Sequence, residues 1–190
     1  MGDNAIQKVL VVHGYTASPS QNWFPWLAEG LEKSEETKVF VPAMPNPHQP
    51  EASAWLNTLR QTMPQVDENT HFVGHSLGCI AILLFLRDLH PGQRIGSLTM
   101  VSGFGTTTTT LPELSNFTEP KPDLAFVSEL TSNRCVITSR NDEIVPWAYS
   151  RDLASEIDAP LFNLKTGGHF LDRDGYTEFP FLLKIIESFL

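Results

Sequence analysis

The pentapeptide Gly74-His75-Ser76-Leu77-Gly78 lies between the apolar run Thr70–Val73 and the apolar stretch Ile80–Leu89. This order predicts a buried strand that turns sharply into a buried helix, with the serine at the turn. Strand and helix backbones nearly collide there, so the positions two before and two after the serine must have almost no side chain. Glycine meets that requirement at both positions. The stretch therefore predicts a strand–turn–helix unit that presents a serine hydroxyl; a glycine-rich turn in which the serine only caps the helix is the alternative.

Short apolar runs and longer helical patterns alternate on both sides of this unit. The strand-like runs are Val9–Val12, Lys38–Val41, His71–Val73, Leu98–Val101, Cys135–Thr138 and Pro160–Leu164. Apolar residues recur at helical spacing near Trp23–Lys33, Glu51–Met63, Leu77–Leu89, Leu124–Leu130, Trp147–Ile157 and Glu178–Leu190. Such alternation indicates parallel strands joined by right-handed crossovers, with helices on both faces of one open sheet. We therefore expect a three-layer α/β fold of about six parallel strands, formed as a single domain over residues 1–190.

Composition and charge argue against several classes of protein. The 190 residues carry a formal charge of −9, which repels phosphate backbones and anionic lipid, so neither nucleic acid nor a membrane is an expected partner. No apolar run approaches the length of a membrane-spanning helix. The two cysteines, Cys79 and Cys135, suit neither a disulfide framework nor a metal site. The N-terminal segment lacks the pattern of a signal peptide, so a cytoplasmic location is expected.

Two stretches depart from the regular alternation. Pro42–Pro50 contains four prolines in nine residues, which prevents regular structure, and we expect this loop to form a wall of the site. The segment from Gly103 to Pro122 is a long predicted loop with five consecutive threonines, Thr106–Thr110. Long loops in compact domains tend to be functional. A flap that faces the substrate and a plain surface connection are both consistent with the threonine run.

A serine hydroxyl is a weak nucleophile at neutral pH, so Ser76 requires a base within hydrogen-bond reach. In open α/β sheets, reactive residues lie on loops beyond the carboxyl ends of the strands. His169 meets this condition because it follows the last predicted strand, within Gly167-Gly168-His169-Phe170. His75 adjoins the serine, but its side chain must leave the turn in another direction, so no catalytic role is assigned to it. His169 is therefore the expected base.

The acid that orients the base should follow a different strand. Asp142 does so, three residues before Val145-Pro146, where the next helix is predicted to begin. Its short side chain suits the task of fixing the imidazole tautomer. Glu143 is the fallback, and a purely helix-capping role for Asp142 is the structural alternative. The chain order Ser76, Asp142, His169 is that of the α/β-hydrolases.

The negative charge that develops on the substrate oxygen also needs donors. One expected donor is the backbone N–H of Leu77, directly after the serine and at the positive end of its helix. The other should come from the loop after the first strand, His13-Gly14-Tyr15. Gly14 permits a close backbone approach, so the N–H of Tyr15 is the expected second donor of an oxyanion hole.

Several further strings extend the pattern over nearly the whole chain. They are His13-Gly14-Tyr15, Trp23-Phe24-Pro25-Trp26-Leu27, Met44-Pro45-Asn46-Pro47, Trp55-Leu56, Gly74-His75-Ser76-Leu77-Gly78 and Gly167-Gly168-His169-Phe170-Leu171. Together they resemble the YdeN and retinoblastoma-binding protein 9 family of small serine hydrolases, most closely its bacterial YdeN branch. The resemblance implies a compact α/β-hydrolase fold without a large lid domain, and Ser76, Asp142 and His169 match the family triad. Binding to the retinoblastoma protein is not implied, because only the hydrolase motifs match.

The expected activity is hydrolysis of a small or exposed carboxylic ester through an acyl-enzyme, without a metal or other cofactor. The expected partner is then a small-molecule acyl substrate. Candidate substrate contacts are Met44, Phe104, Trp147 and Phe170, which lie on or beside the loops that surround the expected site. Hydrolysis of an amide or peptide bond by the same triad remains an alternative, and so does a non-catalytic binding protein built on a hydrolase fold.

Overall fold

The computed structural model describes residues 5–190, and within them one sheet of six strands forms the centre of the molecule. The strands are β1 (Gln7–Val12), β2 (Thr37–Phe40), β3 (Thr70–His75), β4 (Ser97–Val101), β5 (Arg134–Ser139) and β6 (Leu161–Leu164). They lie in the order β2-β1-β3-β4-β5-β6, and every neighbouring pair is parallel. The predicted parallel α/β sheet is therefore confirmed.

Helices cover both faces of the sheet. Among the described residues, the α-helices are α1 (Phe24–Leu31), α2 (Ala52–Thr62), α3 (Leu77–Leu86), α4 (Ser115–Thr118), α5 (Leu124–Leu130), α6 (Trp147–Glu156) and α7 (Pro180–Glu187). Proline stands in the first turn of α1 and of α7, where its fixed φ suits a helix start and its missing N–H costs nothing. Asp123 caps α5 by accepting a hydrogen bond from the N–H of Phe126 at 3.0 Å.

The strands divide their side chains between two hydrophobic cores, as a period of two requires. Val9 and Val11 face the core formed with α1 and α7. Leu10 and Val12 face the larger core, which contains α2, α3, α5 and α6. Because successive residues of β1 are buried on opposite faces, the sheet is the middle of three layers. No separate lid domain interrupts residues 5–190.

Helix α3 lies in the middle of the larger core, and all ten of its residues are buried. Its uniformly apolar sequence is typical of a helix with no solvent-facing side. It follows β3 directly, so the chain enters the core at the turn that carries Ser76. The deep burial of both elements fixes this turn more firmly than a surface loop would be fixed.

The long segment after β4 is less irregular than expected, because it contains a 3₁₀ turn at Pro112–Leu114 followed by α4. Its threonines attach it to the body of the protein. Thr110 donates to the carbonyl of Ile144 at 2.6 Å, and the Thr109 hydroxyl lies 3.2 Å from that of Tyr149. The threonine run therefore anchors the segment.

The order in which strands are added to the sheet reverses at β1, since β2 lies on one side of β1 and all later strands lie on the other. The carboxyl ends of β1 and β3 are neighbours at this switch point, where ligands bind in open α/β sheets. Ser76 follows β3 and the His13-Gly14-Tyr15 loop follows β1, so both meet there. Across residues 5–190, none of the helices is both long and apolar enough to cross a membrane.

Two buried histidines make the fold sensitive to acid. His71 in β3 is 1% exposed and pairs with the Ser97 hydroxyl at 2.9 Å and the Gln7 side-chain oxygen at 2.8 Å. Burial lowers the pKa of His71 from 6.5 to about 4, against the opposing charge of Asp67. Burial likewise lowers the pKa of His75 to about 3. Both side chains are therefore neutral in the folded protein at neutral pH.

We expect the free energy of unfolding to fall as the pH drops from about 6.5 to about 4. In that window the unfolded chain binds protons on these histidines that the folded chain excludes, so each contributes a slope of about 1.4 kcal/mol per pH unit. The variant His71→Gln should show a slope shallower by about that amount in urea titrations at stepped pH. The exposed His90→Gln is the matched control and should leave the slope unchanged. Identical slopes for both variants and the native protein would contradict the assignment.

Candidate active site

Ser76 occupies a strained turn between β3 and α3. Its backbone has φ 54° and ψ −122°, a conformation that L-residues rarely adopt and that costs about 1–3 kcal/mol. A Cβ on Gly74 would lie 2.8 Å from the Cα of Cys79, and one on Gly78 would collide with the carbonyl oxygen of Val12. The two flanking glycines are thus required by close backbone contact. The turn holds the serine side chain at the carboxyl edge of the sheet.

His169 and Asp142 form a buried pair at the same edge. The Nδ1–H of His169 donates to Oδ2 of Asp142 at 2.8 Å, and the two residues are 5% and 6% exposed. With its hydrogen on Nδ1, the ring keeps the lone pair of Nε2 free to accept a proton. This is the tautomer that a general base for a serine needs.

The carboxylate of Asp142 accepts three further hydrogen bonds. Its Oδ1 accepts the N–H groups of Ile144 and Val145, each at 2.9 Å, and its Oδ2 accepts the hydroxyl of Ser102 at 2.7 Å. Burial alone would raise the pKa of Asp142, but the bonds from His169, Val145 and Ser102 and the charge of His169 hold it below its usual value. The residue therefore both caps the turn before α6 and pairs with the imidazole. Glu143, the fallback acid, is exposed.

The loop that carries His169 is fixed by side chains from two directions. Oδ2 of Asp174 accepts the N–H of His169 at 2.9 Å and that of Leu171 at 3.2 Å. Oδ1 of Asn141 accepts the N–H groups of Gly167 at 2.9 Å and Gly168 at 3.0 Å. Because Asn141 directly precedes Asp142, the loops that carry the acid and the base are held together.

The side chain of His75 also contacts the backbone of this loop. Its Nε2–H donates to the carbonyl oxygen of His169 at 2.8 Å, and the two imidazole centroids are 4.9 Å apart. Burial, followed by the charge of His169, lowers the pKa of His75 to about 3, so the ring remains a neutral donor. Trp23 holds the next carbonyl, that of Phe170, through its indole N–H at 3.1 Å.

The loop after β1 lies directly against the serine. A Cβ on Gly14 would stand 2.9 Å from Cβ and 3.4 Å from Oγ of Ser76, so only glycine allows this approach. His13 fixes the loop: its Nε2 accepts the N–H of Met44 at 3.1 Å, which leaves Nδ1–H to donate to the Gly14 carbonyl at 2.9 Å. Burial lowers the pKa of His13, although its bond to Gly14 opposes this shift. The Tyr15 amide follows in this turn, and the Leu77 amide begins α3, where N–H groups have no partner within the helix.

A cavity of about 310 Å³ opens above these groups. Its lining includes Gly14, Tyr15, His75, Ser76 and His169. Apolar wall residues are Ala17, Leu111, Ile144 and Leu171, and polar ones are Thr16, Gln21, Asn22, Asp172 and Arg173. A larger open depression of about 790 Å³ lies beside Gly105 and Glu156, but neither Ser76 nor His169 lines it. The smaller cavity is therefore the one that matches the chemistry.

The residues expected to contact substrate lie elsewhere. Met44 and Phe104 are 3% and 0% exposed within the larger core, and Phe170 is 0% exposed within the smaller one. Trp147 is half-buried, with the guanidinium carbon of Arg151 5.3 Å from its ring centroid. None of the four lines the cavity that contains Ser76. The cavity is lined instead by Leu111, from the long segment after β4, and by Ile144, two residues after Asp142.

Sequence reasoning also missed Ser102, Asn141 and Asp174, which hold the acid and the base. Ser102 directly follows β4, so the strand-end rule that selected Asp142 and His169 could have selected it too. Asn141 and Asp174 act on backbone N–H groups and give no comparable signal. Over residues 5–190, no three His, Cys, Asp or Glu side chains cluster in a way that could hold a metal ion.

Known proteins share both this sequence and this fold. A family model described as serine hydrolase matches residues 9–188. The protein YdeN of Bacillus subtilis (strain 168) is 40% identical over 183 residues, which cover 96% of each chain. The crystal structure of the ydeN gene product matches with a TM-score of 0.91, covering 96% of this chain and 98% of that one. The rat serine hydrolase RBBP9 is 26% identical over 175 residues, which cover 90% of this chain and 88% of the rat protein.

These matches extend over nearly the whole chain, and they confirm the resemblance seen in the motifs. The sheet with helices on both faces agrees with the fold of the relatives. The chain therefore belongs to the serine hydrolase family.

Proposed function

We propose that this hydrolase is a carboxylesterase that cleaves small acyl esters with Ser76 as nucleophile, His169 as base and Asp142 as the orienting acid. The observation that carries the proposal is the hydrogen bond of 2.8 Å from His169 Nδ1–H to Asp142 Oδ2, beside a cavity that Ser76 and His169 both line. That bond assigns the tautomer in which Nε2 can take a proton from a serine.

The first half of the reaction forms the acyl-enzyme. Ser76 Oγ bonds to the ester carbonyl carbon while its proton passes to His169 Nε2, and the Asp142 carboxylate stabilises the imidazolium. The carbonyl oxygen becomes an oxyanion, which the amides of Tyr15 and Leu77 stabilise. The carbon–oxygen bond to the alcohol then breaks, and the alcohol leaves with the proton from His169.

The second half returns the enzyme to its starting state. Water gives a proton to His169 Nε2 and bonds to the acyl carbon, forming a second oxyanion at the same donors. The bond to Ser76 Oγ breaks, the serine recovers the proton, and the carboxylic acid leaves. No step requires a metal ion or another cofactor.

The size of the cavity supports a short acyl group. About 310 Å³ is at the lower end of the range for small-molecule sites. Its apolar wall suits a short alkyl chain, while Gln21, Asn22 and Arg173 offer polar partners to an alcohol or to a substituted acyl group.

The test is a panel of p-nitrophenyl esters of increasing acyl length, together with matched p-nitroanilides and aminoacyl amides. We expect kcat/KM to be highest for acyl groups of about two to six carbons, the chain length that a cavity at the small end of the usual range can hold. Turnover of amides above that of the matched esters would replace the proposal with an amidase. Folded protein that hydrolyses no member of the panel and never reacts with a fluorophosphonate would favour the non-catalytic binding protein.

A further inference from the structure

Ser102 has an unusual backbone at the carboxyl end of β4. It follows the last residue of the strand, is 0% exposed and has φ 46°, in the left-handed region that favours glycine. Its N–H donates to the carbonyl of Ile137 in β5 at 2.8 Å, so the backbone is fixed by the sheet. Glycine would adopt this φ at no steric cost, whereas serine adopts it with backbone strain.

The hydroxyl of Ser102 is used for a single contact with the acid. It donates to Asp142 Oδ2 at 2.7 Å, the same oxygen that accepts the His169 Nδ1–H. The donors on Oδ1, the amides of Ile144 and Val145, belong to the loop that follows Asp142 itself. Ser102 therefore supplies a contact from the neighbouring strand. Without it, His169 would be the only group that holds Oδ2.

We propose that Ser102 is a positioning residue of the hydrolytic site, whose hydroxyl holds Asp142 Oδ2 on the line of the His169 Nδ1–H bond. The proposal rests on the proposed function, in which Asp142 orients His169. A serine stands here at a φ that favours glycine, and its hydroxyl binds the acid. Strain of this kind concentrates at functional sites.

Removal of the hydroxyl frees the acid to swing away from the line of the bond, which lowers kcat. A carboxylate that has left this line stabilises the imidazolium less. The acid limb of the pH–rate profile should then move to lower pH, by about half a unit for one hydrogen bond of ordinary strength. A residue that only fills space would not move this limb.

Ser102→Ala should lower kcat about tenfold with little change in KM, and shift the acid limb to lower pH. The matched control is Ser150→Ala. Ser150 is also 0% exposed, and its hydroxyl also makes one bond of 2.7 Å, but to the carbonyl of Gly103. That variant should lose stability while its kcat and acid limb stay at the native values. For each variant, activity can be followed with the best ester of the panel and by the rate of phosphonylation of Ser76.

Ser102→Gly separates the hydroxyl from the strain, because it relieves the positive φ without restoring the donor. It should be more stable than Ser102→Ala and equally impaired in kcat. It also keeps the test available if the alanine variant folds poorly. Activity that follows stability across these variants, or an acid limb that stays in place or moves to higher pH, would overturn the proposal.

One readout does not depend on turnover. The proton between His169 Nδ1 and Asp142 Oδ2 should give a far-downfield proton resonance in the native protein and in Ser150→Ala, and a shifted or broadened one in Ser102→Ala. An unchanged resonance would count against Ser102. A native protein that shows the resonance but never hydrolyses an ester would instead count against the proposed function alone.

Discussion

Ser76→Ala is expected to abolish covalent labelling by a fluorophosphonate and to lower kcat for every hydrolysed ester by about a million-fold, the loss typical of removing a triad nucleophile. The hydroxyl is the only group at the turn between β3 and α3 that the mechanism acylates. Alanine keeps the same Cβ, so neither the backbone turn nor the adjacent Gly14 has to move. Intact-mass spectrometry of the labelled protein and initial rates measure the two effects.

The folded state of this variant can be checked independently. Ser76→Ala retains the strained φ of 54°, so its free energy of unfolding should stay close to that of the native protein. Ser76→Gly should be equally inactive but more stable by about 1 kcal/mol, because glycine adopts positive φ without strain. Labelling that persists in either variant would mean that another residue is the nucleophile.

The fold follows from the sequence because its signals are local and repeated. Each buried strand is a short run of apolar residues, and each crossover contains a helical pattern. Strands joined by helical crossovers run parallel, so this alternation predicts a parallel sheet. Nothing in the apolar pattern marks the 3₁₀ turn at Pro112–Leu114 or the short helix α4, since segments of three or four residues complete at most about one turn.

Ser76, Asp142 and His169 could be selected because each follows a strand, and parallel strands bring their carboxyl ends to one edge. The direction of a side chain after a strand is harder to predict. Phe170 is adjacent to His169, yet its φ of 56° turns it into the smaller core, where it packs at 5.0 Å between ring centroids on Phe179. Apolar character alone does not distinguish such a core residue from the wall residues Leu111 and Ile144.

Asp142→Asn should lower kcat by about ten-thousand-fold while the protein remains folded. The amide would place an N–H₂ group or a weaker acceptor where Oδ2 now receives bonds from His169 and Ser102. With a donor facing it, the imidazole would carry its hydrogen on Nε2, the tautomer that cannot take the serine proton. Initial rates on the best ester, with thermal unfolding in parallel, measure the effect.

The matched control for Asp142→Asn is Glu143→Gln, the same chemical change on the next residue. Glu143 is exposed, whereas Asp142 is 6% exposed and accepts hydrogen bonds from His169, Ser102, Ile144 and Val145. Only the loss of the buried carboxylate changes the tautomer of the base, so Glu143→Gln should retain native kcat. If the two variants lost activity equally, the effect would come from the charge or stability of the loop, and the assignment of Asp142 as the orienting acid would fail. Loss confined to Asp142→Asn would locate the acid at the end of β5, one strand away from Ser102 and two from the nucleophile.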